Sequence, residues 1–208
     1  HTFHMYIDIH THTHWTDKDI TSVFNIRYGF DKITDERWFS VGIHPWDADK
    51  VCIDDSFYSL AKSAIAIGEC GLDKKCSVSL DCQESVFTAQ IELSKRLNKP
   101  LIIHCVGCYG KILEMSIRHS PHPTWIIHGC YTSPEWIRSA LSQPMFFSVG
   151  MREISYPKGK DMLNAIPRDR LLFESDDDVS SVKAVYDSLS INPEMMTHCY
   201  ELIDMKTE

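Results

Sequence analysis

The sequence predicts an α/β fold, a compact TIM-like (β/α) barrel that lacks its first covering helix. Three observations predict it. Short apolar runs alternate with longer amphipathic ones, the pattern of a parallel sheet covered by helices. Eight of the short runs read as strands. Ionisable side chains stand at the ends of most of them, and in a barrel the strand C-termini converge on one face.

The stretch Tyr6-Ile7-Asp8-Ile9-His10-Thr11-His12-Thr13-His14 organises the chain. Its strand runs from about Met5 to Ile9. A strand has a side-chain period of two, so His10 and His12 point to one face and can share one divalent ion. His14 extends the series toward the following loop. A fragment of an expression tag is the alternative reading, because His1 and His4 precede the stretch. Tag residues have no reason to sit in an alternating apolar frame, so only residues 1–4 stay open as non-native, with Met5 as a natural start.

The second strand spans Ile20 to Tyr28 and the third Trp38 to Ile43, which ends at His44-Pro45. The gap between the first two is too short for a covering helix. A helix over Ser56 to Ser63 leads to a strand over Ala64 to Gly68, ending at Glu69. A long helix, Leu80 to Leu97, carries Val86, Phe87, Ile91, Leu93 and Leu97 near helical spacing and stops at Asn98-Lys99-Pro100. Strand Leu101 to Ile103 ends at His104, helix Tyr109 to His119 follows, and strand Thr124 to Ile127 ends at His128. Ser133 can cap the next helix with Pro134 as its first residue. Strand Met145 to Val149, helix Lys158 to Ala165 and strand Arg170 to Phe173 lead to Glu174-Ser175-Asp176. Two short helices, Ser180 to Leu189 and Pro193 to Met205, complete the reading.

Composition bounds the function. At 208 residues, 43% hydrophobic and 24% charged, the chain reads as one globular domain over residues 1–208. No apolar run approaches the length of a membrane span, and no signal peptide opens the chain, so the expected location is cytoplasmic with no membrane partner. The net charge of −8 gives no basic nucleic-acid footprint. A phosphate-bearing substrate then requires local cations, for which bound metal ions are the obvious source. The eight cysteines are scattered, with one Cys-x-x-Cys at Cys105 and Cys108, and a second pair for a structural zinc site is absent. They read as reduced, small buried apolar residues, with a redox pair as the alternative.

Collecting the strand-end groups gives His10, His12, Glu69, His104, His128 and Asp176. Four imidazoles and two carboxylates suit a pair of borderline divalent ions such as Zn²⁺ or Mn²⁺. Glu69 is the candidate bridge, because a carboxylate can hold one ion with each oxygen and neutral imidazoles cannot. Gly68 and Gly71 beside it permit close approach. The alternative for Glu69 is a surface pairing with a lysine such as Lys74.

These motifs resemble those of the TatD-related metal-dependent hydrolases, within the amidohydrolase-like barrels. The matching pieces are Asp8-Ile9-His10-Thr11-His12, Val41-Gly42-Ile43-His44-Pro45 and Ile67-Gly68-Glu69-Cys70-Gly71-Leu72-Asp73. Gln83, Phe87 and Gln90 match the helix that follows. Next come Pro100-Leu101-Ile102-Ile103-His104, then Ile127-His128-Gly129-Cys130-Tyr131, then Leu171-Leu172-Phe173-Glu174-Ser175-Asp176. The resemblance implies that His10, His12, Glu69 and Asp176 hold one metal and that Glu69, His104 and His128 hold the other. It implies that His44 faces the same pocket, as a substrate-binding residue, and that Mg²⁺ or Mn²⁺ supports DNase or phosphoesterase activity.

Two departures bear on substrate. The family's arginine after the histidine matching His104 is missing, because Cys105-Val106-Gly107-Cys108 stands there. The last motif continues into Asp177-Asp178 instead of a small residue and proline. The leading expectation is a binuclear hydrolase of phosphate esters, of DNA or a smaller phosphoester, with Asp176 as general base and Glu69 as the other catalytic carboxylate. An amidohydrolase-like enzyme acting on a small amide, lactone or cyclic substrate is the alternative. A non-enzymatic metal-binding protein is the third reading.

Overall fold

A computed structural model describes residues 6–33, 35–196 and 198–202. The questions about residues 1–4 and Met5 lie outside them. Eight parallel strands form one sheet whose spatial order is the sequence order. They are β1 (Tyr6–Thr11), β2 (Ile20–Arg27), β3 (Phe39–Gly42), β4 (Ala66–Asp73), β5 (Leu101–Val106), β6 (Trp125–Ile127), β7 (Met145–Val149) and β8 (Leu171–Phe173). The ring closes just past β8, where Thr11 and Asp176 form a parallel bridge. There the His12 N–H donates to the Asp176 carbonyl at 2.9 Å, and the Asp176 N–H donates to the His10 carbonyl at 3.0 Å.

Helices cover the barrel from β3 onward: α1 (Asp55–Ser63), α2 (Leu80–Leu97), α3 (Tyr109–Arg118), α4 (Pro134–Ala140), α5 (Met151–Ser155), α6 (Gly159–Ala165), α7 (Val182–Leu189) and α8 (His198–Leu202). Residues 12–19, between β1 and β2, hold no helix, as the short spacing predicts. The caps follow the local chemistry. Asp54, Ser79 and Ser133 accept from the backbone N–H three residues on, and Asn98 ends α2 in the left-handed region at φ 50°. Every residue of β4 is buried, as a strand covered on both faces requires.

The structure corrects several boundaries. β4 and β5 continue past the apolar runs, so Glu69 and His104 lie inside strands rather than just after them. The polar residues interrupt hydropathy but not the ladder, which pairs Gly71 with His104 and Asp73 with Val106. His12 lies one residue beyond β1. The five-residue α5 was not predicted, being too short to show a period. The predicted helix from Pro193 divides into a 3₁₀ turn (Pro193–Met196) and α8, and its predicted end at Met205 lies outside the described residues.

Asp8 locks the closing seam. Its Oδ1 accepts the Ser175 N–H at 2.9 Å, its Oδ2 lies 2.6 Å from the Ser175 hydroxyl, and the Trp15 indole donates to it at 3.1 Å. Burial pushes the Asp8 carboxyl up to about 7, against the pull of the Ser175 hydrogen bonds. Asp8→Ala leaves the buried Ser175 N–H unpaired and should cost about 1–3 kcal/mol. Thermal denaturation should show a midpoint lower by about 2–4 °C for each kcal/mol. Asp8→Asn keeps an acceptor in place and should lose less, and an unchanged midpoint in the alanine variant would contradict the seam's role.

Candidate metal centre

At the C-terminal mouth of the barrel, Glu69 stands among five imidazoles. Its Oε1 lies 2.8 Å from His104 Nδ1, 2.8 Å from His128 Nε2 and 3.3 Å from His44 Nε2. Its Oε2 lies 3.7 Å from the Nε2 atoms of both His10 and His12. Asp176 Oδ1 closes the second group, 3.4 Å from His10 Nε2 and 3.6 Å from His12 Nε2. The two Glu69 oxygens thus face two separate sets of donors. Donor atoms of His10, His12 and Asp176 lie close enough to hold one ion, as do those of His44, Glu69 and His104.

All six residues predicted to ligate metal come together here, and His44 faces the same pocket beside Glu69. Among the described residues the ion-pair partners of Glu69 are these histidines and not Lys74. Whether the donor set suits a cation can be tested on His10. Its ring is fully buried, and neither Nδ1 nor Nε2 makes a hydrogen bond. A buried imidazole without a hydrogen bond is costly, and a cation at Nε2, between the Glu69 and Asp176 carboxylates, would satisfy one of its nitrogens.

The electrostatics fit the same use. Burial alone would raise the Glu69 carboxyl, but the His128 charge and hydrogen bonds from His104 and His12 hold it well below the ordinary value. Asp176 behaves likewise, with the His10 ring outweighing burial. Burial would lower His128, yet Glu69 and Glu174 carry it well above its ordinary value. Burial keeps His44 low and therefore neutral.

Several supporting residues were only partly visible in the sequence. Glu174 was noted as a strand-end residue but given no role. Its Oε1 lies 3.3 Å from His128 Nδ1 and accepts the Gly129 N–H at 2.9 Å, and its Oε2 accepts the Ser148 hydroxyl. A carboxylate behind an imidazole fixes the ring's orientation. The α2 glutamines act through backbone. Gln90 accepts from Ile43 N–H at 2.9 Å and donates to the Ile43 carbonyl at 3.1 Å, which sets the residue before His44. Gln83 holds Asp73 in the same way, at 2.8 and 3.0 Å. Gly71, at φ +132°, lets β4 approach β5, because a Cβ there would strike the His104 carbonyl oxygen. Cys105 and Cys108 are both buried free thiols, and burial pushes the Cys105 thiol up to about 12, far from a reactive thiolate.

The cluster opens into a cavity of about 850 Å³. Three cationic side chains line it: Arg27 from the end of β2, Lys75 and Arg152 from α5. Arg27 is clamped to Asp47 at 2.5 and 2.7 Å, and Arg152 reaches Asp176 Oδ2 at 3.3 Å. The missing arginine after His104 therefore does not leave the pocket without positive charge. The strand-end placement of Arg27, at the end of β2, is the one signal in the sequence that marks it.

The ordinary values for Glu69 and Asp176 are 4.5 and 3.8, and both fall on folding. The stability they contribute is complete above those values and is lost as the pH drops through the folded ones. His128 is raised above 6.5, so its contribution is complete below that value and is lost as the pH rises through its folded one. In chelator-treated protein these three groups should therefore contribute most between about pH 4.5 and 6.5, while Asp8, raised from 3.8 to about 7, opposes them as the pH rises through that range. Thermal midpoints that climb steadily below pH 4 would contradict this.

The TatD related DNase family model matches residues 13–204. A 3′-5′ ssDNA/RNA exonuclease TatD of Klebsiella pneumoniae is 30% identical over 149 residues, which are 67% of this chain and 56% of that protein. The Rahnella exonuclease of the same name is 32% identical over 161 residues, 70% of this chain and 59% of that one. The uncharacterized metal-dependent hydrolase YabD of Bacillus subtilis is 30% identical over 167 residues, 71% of this chain and 66% of that one. The aligned region is thus somewhat over half the length of the two exonucleases. In three dimensions the chain superposes on YjjV, a TatD homolog from Escherichia coli, with a TM-score of 0.79 at 19% identity, covering 97% of this chain and 98% of that one. That likeness is one of fold, a barrel of the same kind. With the family model spanning nearly all of the described residues, the chain belongs to the TatD-related DNase family.

Proposed function

We propose that this chain is a binuclear-metal-dependent phosphoesterase that hydrolyses nucleic acid, with single-stranded DNA as the leading substrate. The observation that carries the reading is the division of labour at Glu69, whose Oε1 faces His44, His104 and His128 while Oε2 faces His10 and His12. That geometry supports one carboxylate shared between two ions, His10, His12 and Asp176 completing one side and His104 and His128 the other. Zn²⁺, Mn²⁺ and Mg²⁺ are the candidate ions, and the imidazole-rich donor set favours the first two. The names of the exonuclease relatives support a nucleic-acid substrate. Eight free thiols support a cytoplasmic setting.

Divalent ions at this centre supply an acidified water as nucleophile and positive charge toward the phosphoryl oxygen. The chain's own groups do the rest. Asp176, held ionised beside the His10 ring, takes the proton of the attacking water as general base. Its backbone at φ 52°, fixed by the bridge to Thr11, aims the carboxylate into the mouth. Glu174 keeps His128 in one orientation. His44, neutral and next to Glu69, faces the incoming ester.

Purified protein should carry about two divalent ions per chain by elemental analysis. Asp176→Asn should lower turnover of single-stranded DNA by about 10²-fold or more while retaining bound metal. Glu69→Gln should lose an ion by calorimetry together with turnover. A panel of single-stranded DNA, bis-p-nitrophenyl phosphate, small amides and lactones, run with each metal, separates this reading from the amidohydrolase one. Turnover of lactones or amides without phosphodiesters would overturn it.

A further inference from the structure

The cavity walls on either side of the metal cluster carry aromatic rings that the chemistry above does not use. Trp46 follows β3, and Arg152 and Tyr156 follow β7. In a ring of eight strands these positions are four strands apart, so they face each other across the mouth. Trp46 is 46% exposed and Tyr156 is 39% exposed, yet both line the cavity. Neither ring is loose. The Trp46 indole donates to Asp73 Oδ2 at 2.6 Å and packs edge-on against His44 at 4.6 Å between centroids. Tyr156 packs on Tyr131 at 4.5 Å between centroids. Each also has a guanidinium at hand: Arg27 lies 5.8 Å from the Trp46 ring, and Arg152 of α5, four residues before Tyr156, lines the same cavity.

An exposed flat ring held rigid beside a cation suits one nucleotide, the ring stacking on the base and the cation drawing the phosphate. Two such pairs on opposite walls suit one nucleotide on each side of the bond that lies over the cluster. Paired bases are covered by their neighbours in a duplex, so only unpaired ones can be received this way. Resting on the nucleic-acid reading above, we propose that Trp46 and Tyr156 are the base-stacking platforms that seat a single strand across the metal centre, with Arg27 and Arg152 as their phosphate-drawing partners.

The test is binding of fluorescent, phosphorothioate-protected oligonucleotides to the Mn²⁺-loaded enzyme, read by anisotropy. One strand carries bases and the other is fully abasic. Stacking is worth about 1–3 kcal/mol per base, so Trp46→Leu and Tyr156→Leu should each weaken the base-bearing strand by about tenfold. The abasic strand, which loses both stacks, should bind wild type about a hundredfold more weakly than the base-bearing strand and should be weakened no further by either variant. Trp46→Phe, which restores a ring without the indole N–H, should recover most of the loss. Equal weakening of both strands, or no weakening of either, would overturn the platforms. If loaded wild type neither binds nor cleaves either strand yet hydrolyses a lactone, the nucleic-acid reading fails first, and the platforms fail with it.

Discussion

A buried carboxylate surrounded by imidazoles is the constraint on which the rest of the structure depends. Glu69 is 6% exposed and ionised, and an uncompensated charge at that depth is expensive. In the metal-free chain the compensation comes chiefly from His128, which Glu69 and Glu174 draw toward protonation in turn. Divalent ions offer the same compensation without the protons, because metal displaces protons from imidazole. The two oxygens divide the histidines between them, so the site is built around the shared acid and not around either group alone.

The barrel itself follows from the same requirement. β1 and β8 join at Thr11 and Asp176, so the seam that closes the ring is also the place where His10, His12 and Asp176 meet. Asp8 and Ser175 tie that seam from behind. On the other side, Gln83 and Gln90 of α2 fix the backbone next to Asp73 and His44. A change in any of these residues acts on the donors through geometry, without touching the cluster.

The strand ends of His44, His128 and Asp176 were legible because polar groups ended apolar runs. The positions of Glu69 and His104 within β4 and β5 were not legible, because inward-facing polar residues break the hydropathy pattern while the hydrogen-bond ladder continues. The six proposed ligands were collected from residue type and strand-end position, and the place of His44 beside them came from the family resemblance. Glu174 and Asp8 were named without roles, since their partners Ser148 and Ser175 lie far away in sequence and only the pairing of neighbouring strands brings them together. Arg27 and Arg152 stayed hidden for the same reason: the sequence reading looked for an arginine at one position after His104, and the folded chain supplies charge from two other strands' ends. Helix α5 escaped because five residues carry no period.

The most direct test of the account is an anomalous-diffraction crystal structure of the Mn²⁺- or Zn²⁺-loaded protein. Two peaks are expected, roughly 3.5–4 Å apart, one on each side of the Glu69 carboxylate. A single peak, or two peaks that do not share Glu69, would contradict it.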